Sequence, residues 1–433
     1  MKRSAFFMVA PLIVAAMLLN GCVPGTVQTG SREKTEAWGT LDWFKRGVSL
    51  EQDGQYDEAL KAYSASVELD PGFAEAWYKR AAMRETRGDF EQAMVDYTEA
   101  VSLYPRFAEA YYKRGVLLKK TGRSDQAISD FTKVLEIDPR NAKAYNLRGL
   151  VWDEKGDVRQ ALADFNKALE TDPTYAAAFY NRAGVLADQG KLDQSIADYT
   201  MALALNPDFD KAYNDRGLIW EQKLQYPRAI ADYTKALEIN SRLGEAYYNR
   251  GSLWCDLGEY DQAIADFTAF LEMNPNHSKG FYKRGLARSR KGELVTAVAD
   301  FTKALEIEPS FAGAYLHRGS ARDNQGEYDL AISDFNTHLK MNPGSAEGYN
   351  KRGLVWAKKG DYDRAIADFS KALAINPGYD EAYFNRGFAW DQKGNFREAL
   401  ADVNKALSLK PNDSNYKRVM GILQKQVNEK AGQ

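Results

Sequence analysis

Cysteine and histidine are scarce in this 433-residue chain. There are two of the first, Cys22 and Cys255, and three of the second, His277, His317 and His338. No Cys/His cluster has metal-ligand spacing, so a metal centre does not organise the fold and no cofactor is expected. Charge of one sign is also lacking. The formal net charge is -2, and without a strong basic excess nucleic acid is not an expected partner. Long apolar runs are missing apart from Ala5 to Leu19, which Pro11 interrupts and which is short for a membrane span. There is no phosphate-cradling glycine loop, nucleophile elbow or HExxH helix, so catalysis is not expected. What is present is 44% apolar and 27% charged residues, enough for a packed core and against wholesale disorder. The length suits two or three ordinary domains or one long repeat array.

The first residues read as a secretion signal, residues 1–21. Lys2 and Arg3 give a positive start, and the apolar stretch ends at Leu19-Asn20-Gly21-Cys22. This tetrad resembles the lipobox of bacterial lipoproteins: Leu three places before the cleavage point, a small residue, then Cys. The resemblance implies that Cys22 becomes the first mature residue, acylated on thiol and amine, with several chains giving stable anchoring. An ordinary signal peptide or an uncleaved anchor are the rival readings. Val23 follows the cysteine. In enterobacterial-type sorting an Asp there favours inner-membrane retention, so the resemblance favours the outer membrane, facing the periplasm. Residues 22–39 have little apolar periodicity and several Gly, Thr and Ser, and read as the lipidated Cys and a flexible tether.

Beyond the tether the chain repeats itself. Arg46, Arg80, Arg114 and Arg148 begin a series that recurs at a step of 34 residues through Arg386. Pro71, Pro105 and Pro139 keep the same step, which fails only at Ser241. The places of each unit are numbered here 1 to 34 from Thr40. Place 4 is aromatic in every unit, from Trp43 to Tyr383, and place 8 is Gly or, at Ala81 and Ala183, Ala. Place 20 is Ala or Ser195, and place 24 is Tyr or Phe except for Val403. Places 4, 8 and 11 share one face of a first helix, and places 20, 24 and 27 one face of a second. Glycine at place 15 ends the first helix, and pairs such as Asp138-Pro139 end the second. Period and pattern resemble the tetratricopeptide repeat family over residues 40–411. The implied fold is all-α, a right-handed superhelical solenoid of eleven helix–turn–helix repeats. Residues 412–433 keep Gly421 in phase with Gly387 and read as a capping helix and tail. Repeat six departs most, with Leu224 for the turn glycine, an added Pro227 and Ser241 for proline.

One feature departs from the commonest family pattern, which has Leu at place 7. Here place 7 is Arg throughout, and place 23 is Asp in ten repeats, the first having Ala62. Matched charges repeated in this way suggest an ion pair at the helix interface. Pairing within a repeat leaves only Arg46 over, whereas pairing with the next repeat leaves Arg46, Arg80 and Asp402. A ligand-facing arginine ladder is the other reading.

The family resemblance implies a concave face lined by the first helices at places 2, 5, 9, 12 and 13. Place 5 is aromatic at Phe44, Tyr78, Tyr112, Tyr180, Tyr248, Tyr282 and Phe384, and Asn at Asn146, Asn214 and Asn350. Rings offset from the core stripe suit extended peptide segments, so these ten residues are the candidate protein-binding positions. They could instead fill space between neighbouring first helices. Charges at places 12 and 13 are mixed, and the Lys/Asn carboxylate clamp of some relatives is not matched. Cys255, at place 12, reads as a free and partly exposed thiol, and His317 and His338 as structural.

The resulting expectation is a membrane-anchored, non-enzymatic scaffold or adaptor of the bacterial cell envelope. Its partners would be envelope proteins or peptide segments, and the membrane through the lipid. A pilotin-like assembly factor for a pilus or secretion machine, and a self-associating structural spacer, are the alternatives.

Overall fold

The computed structural model describes residues 38–431. The signal segment, Cys22 and the tether up to residue 37 lie outside the described residues. Everything described is helical or turn, in eleven helix pairs and one final helix. Each first helix starts at place 1 and has 13 or 14 residues, as in Ala142–Glu154; each second helix has 14, as in Val158–Thr171. The helices fall into two compact units, one ending at Pro105 and the other beginning at Arg106. The first holds repeats 1 and 2, the second repeats 3 to 11 and the final helix.

The turns follow from the residues that form them. All ten place-15 glycines have φ between +72° and +91°, a left-handed conformation that only glycine adopts without strain. Leu224 occupies the same conformation at φ 59° and is the one non-glycine residue with positive φ among those described. At the other end of each repeat an Asp or Asn side chain folds back on the turn. The Asp138 carboxylate accepts from Arg140 N at 3.1 Å, and Asp172 from Thr174 N at 2.9 Å. Repeat six keeps this bond without its proline, Asn240 accepting from Arg242 N at 3.0 Å. Pro227 sits in the first turn of Tyr226–Ile239, where its missing N–H has no helical partner to lose. Repeat six therefore has the same backbone plan as its neighbours.

Within a repeat the second-helix ring at place 24 fills the hairpin. Phe131, Phe165, Tyr199, Tyr233, Phe267 and Phe301 are fully buried. The place-8 glycine makes room: a Cβ on Gly149 would lie 2.8 Å from the Phe165 ring. Place 3, not singled out from the sequence, is equally buried; Ala144, Ala178, Ala212 and Ala246 have no exposed surface. It lies where the first helix of one repeat meets the second helix of the previous one, alongside residues such as Leu135 and Leu169. The final helix, Ser414–Ala431, closes this surface at repeat 11. Tyr416 stacks on Phe384 at 4.7 Å and donates to Asp380 at 2.9 Å, and Leu423 is buried against Ala399 and Val403.

Candidate functional site

In the unit that begins at Arg106, each first helix packs on its own second helix and also touches the first helix of the next repeat. The first helices therefore form one continuous face. The seam between them is bridged by polar contacts. Lys119 reaches Glu154 at 2.6 Å, Lys358 reaches Asp323 at 2.8 Å, and the Tyr180 hydroxyl donates to Asp215 at 2.7 Å. Lys79 and Glu51 make the equivalent pair at 3.1 Å in the first unit. Places 5, 6, 12 and 13 therefore lie along this seam.

The place-5 rings are half-buried. Six of the seven lean on the core ring of their own repeat: Phe44 on Tyr63, Tyr78 on Tyr97, Tyr112 on Phe131, Tyr180 on Tyr199, Tyr248 on Phe267 and Tyr282 on Phe301, at 5.7 to 6.1 Å; Phe384, whose repeat has Val403 there, packs with that valine instead. Several also meet the last residue of their own repeat, as Tyr180 meets Phe209 at 4.6 Å and Tyr282 meets Phe311 at 4.6 Å. Burial pushes the Tyr112 hydroxyl up to about 12. These rings present an edge to the seam and spend most of their surface on packing.

The three place-5 asparagines do something else. Asn146, Asn214 and Asn350 are 2–3% exposed, so their side chains serve the packing between repeats and are not part of the open surface. Each accepts a hydrogen bond from the place-6 asparagine of the next repeat: Asn181 to Asn146 at 2.9 Å, Asn249 to Asn214 at 3.0 Å, Asn385 to Asn350 at 3.1 Å. Asn214 also donates to Asp215 at 3.2 Å, which joins it to Tyr180 in one polar chain across three repeats. The sequence carried this signal. Every place-5 Asn is followed 35 residues later by a place-6 Asn, a pairing that reading either place alone does not reveal.

The Arg–Asp pairs form within each repeat, ten times, from Arg80–Asp96 to Arg386–Asp402. Arg182 is representative. Its Nε and Nη2 grip both Asp198 oxygens at 2.7 Å, its Nη1 donates to Asn166 of the previous repeat at 2.6 Å, and its guanidinium lies 5.6 Å from the Phe179 ring centre. Thr132, Thr200, Thr234 and Thr268 play the part of Asn166 in other repeats. Hydrogen bonds to Asp130 hold the Arg114 guanidinium above its ordinary value. With every face engaged, the arginine row is a packing device that ties own-repeat helices to the preceding repeat.

Cys255 is 7% exposed, against Phe267 and Ala287. The expectation of a partly exposed thiol is corrected, because place 12 is shut into the seam; burial also pushes its pKa up. His338 is buried, Nδ1 2.9 Å from the Ala312 carbonyl and Nε2 3.0 Å from the Ser345 hydroxyl. The carbonyl can only accept, so Nδ1 carries the proton there. His317 lies beside Tyr282, and burial lowers its pKa. Among the described residues no three His, Cys, Asp or Glu side chains gather where a metal ion could sit, and no helix is long and apolar enough to cross a membrane.

Family models described as tetratricopeptide repeat match residues 108–141, 142–175, 176–209, 244–277, 316–380 and 357–423. A model described as TPR repeat matches 50–84 and 86–122. The chain belongs to the tetratricopeptide repeat family. Comparison with curated proteins returns no match. Among solved structures, the tetratricopeptide chain is similar to MamA, at 29% identity over 40% of this chain and 94% of that one, with TM-score 0.37. It is similar to YrrB, described as a TPR protein with an unusual peptide-binding site, at 26% identity over 42% and 95%, TM-score 0.39. A tetratricopeptide protein from Parabacteroides merdae shares 24% identity over 57% and 98%, TM-score 0.46. Tetratricopeptide repeat proteins generally mediate interactions between proteins.

Proposed function

We propose that this chain is a protein-binding scaffold of the bacterial cell envelope, held at the membrane by lipid on Cys22. The observation that carries the binding half is the uninterrupted first-helix face between Arg106 and the C-terminal helix, whose side chains change from repeat to repeat while the packing beneath them does not. Surfaces that vary on a constant scaffold are where partner choice is encoded. The anchoring half is supported by Leu19-Asn20-Gly21-Cys22 and by the polar, Gly- and Thr-containing segment that follows. Such an anchor would hold the repeat array within tether reach of the membrane, presenting its face to envelope proteins or peptide segments.

Crosslinking in cells followed by mass spectrometry tests the binding half; recovery of defined envelope proteins is expected, and recovery of the chain alone or only with itself favours a structural spacer. For the anchor, Cys22→Ser is expected to leave the protein unprocessed or released from the membrane fraction. Normal fractionation of that variant, together with an unacylated wild type by mass spectrometry, would overturn it.

A further inference from the structure

All three histidines of the chain fall in one stretch, from the last residue of repeat 7 to the second helix of repeat 9. Each sits where one repeat meets the next. His277 is the N-cap of Ser278–Lys291, the first helix of repeat 8, and its Nδ1 accepts from Gly280 N at 3.0 Å. A ring nitrogen that accepts is unprotonated, so the neutral ring carries its proton on Nε2. Two rings of repeat 7 enclose it, Phe270 edge-on at 4.9 Å and Tyr248 at 5.9 Å.

His338 supports the cap between repeats 9 and 10. While Nδ1 donates to the Ala312 carbonyl, Nε2 accepts from the Ser345 hydroxyl. The Ser345 oxygen in turn accepts from Gly348 N at 3.0 Å and caps Ala346–Lys358. His317 occupies the junction in between, on the first helix of repeat 9, with its ring 5.7 Å from Tyr282 of repeat 8.

A second proton suits none of these places. On His277 it removes the cap acceptor and sets a cation at the positive end of a helix. On His338, which is 4% exposed, it turns Nε2 into a donor aimed at a hydroxyl that is itself donating. The charged groups around them do not favour it either. Burial holds His277 below the ordinary imidazole value, and Lys279 adds to this. Burial lowers His317 as well; Glu347 of repeat 10 opposes the shift, while Lys351 of repeat 10, Arg290 of repeat 8 and His338 reinforce it. On the helix of His338, Asp334 lies one turn away, gripped by Arg318 and Arg322 at 2.7–2.8 Å.

We propose that repeats 7 to 10 form a proton-sensitive joint, whose three junctions loosen as the surroundings acidify while repeats 3 to 6, which have no histidine, hold. The unfolded chain carries ordinary histidines, so below about pH 6.5 it binds protons that folded His277 and His317 resist. The stability of these junctions is therefore full above that value and falls as pH drops through the lowered folded values.

Hydrogen exchange of the full chain, read by mass spectrometry at about pH 7.5 and about pH 5.5 and corrected for intrinsic rates, tests this. The first helices of repeats 4 and 5 are the internal reference. In the wild type, protection of residues 278–291 and 346–358 relative to that reference is expected to fall about threefold or more on acidification, the scale of a lost N-cap. The variants borrow residues from other repeats. His277→Asn supplies the kind of cap seen at Asn141, which accepts from Ala144 N at 3.0 Å. His338→Ala supplies the residue most repeats have at place 27. His277→Asn alone is expected to keep 278–291 protected at the lower pH and to leave 346–358 acid-sensitive. Adding His317→Asn and His338→Ala should remove the acid effect throughout. An unchanged wild-type ratio at the two pH values overturns the inference. So does an acid loss at 278–291 undiminished by His277→Asn, or one that persists in the triple variant, since carboxylates would then be its source.

Discussion

The Arg–Asp pairs and the first-helix face share the first helices, which carry the arginines, yet run differently along the chain. In the pairs, ten repeats solve one problem in one way: a bidentate pair, an aromatic ring beneath the guanidinium, and in most repeats a small polar side chain from the previous repeat above it. On the face, place 5 is filled in more than one way: a ring that wedges against its neighbours in seven repeats, an asparagine bonded to the next repeat in three, and the buried Leu316 in one. The difference teaches which positions specify the stack and which are free to vary. A planar guanidinium accepts only one arrangement of partners, so it repeats; a seam that can be closed by a ring or by an amide leaves room for side chains chosen for other reasons.

The strongest way to break this comparison is to remove one of the paired arginines. Arg182→Ala leaves Asp198, whose side chain is 9% exposed, as a buried charge without its partner, and a loss of about 3 kcal/mol is expected in denaturant melts. The double variant with Asp198→Ala should recover part of that loss. Strict additivity of the two single changes would show that the pair is not a unit.

A smaller effect is expected on the face. Tyr180→Ala removes a half-buried ring and its bond to Asp215, with an expected loss of about 1–2 kcal/mol. Phe165→Ala, in the hairpin core, should lose about 3–5 kcal/mol. Titration calorimetry of Tyr180→Ala with a crosslinked partner decides what the ring is for. Normal binding with an earlier melt is the expected outcome and makes the ring a packing element. A large affinity loss with a nearly unchanged melt would make it a ligand anchor instead.

The smallest effect sharpens the comparison at the turns. Leu224 holds the left-handed conformation that glycine holds in the other repeats, and it is exposed. Leu224→Gly is expected to raise stability by about 0.5–1 kcal/mol, the relief of backbone strain less the extra entropy of the unfolded glycine. A thermal melt that moves downward would show that Leu224 contributes contacts which outweigh its strain.

Much of the repeat was legible because its determinants are local. Gly156 ends a helix through its own φ, Asp138 caps a turn two residues away, and Phe165 lies opposite Gly149 sixteen residues back in one hairpin. Own-repeat pairing of Arg and Asp could be argued from which charges would be left over. The asparagine bridges were harder to read, since Asn146 and Asn181 belong to different repeats and different places. The burial of Cys255 was hidden for a related reason: its position on the helix is that of a face residue, and Phe267 of its own second helix together with Ala287 of the next first helix covers it.

Sequence alone determined the period, the helix ends and the identity of the hairpin core, because contacts within 34 residues are fixed by helical geometry and turn chemistry. Tertiary structure decided what closes the seam between repeats: which place-5 side chains are buried, and that most of the arginines also reach back to the preceding repeat. Those outcomes depend on how far one first helix is turned and shifted against the next, and that arises from packing along the stack, which no single repeat contains.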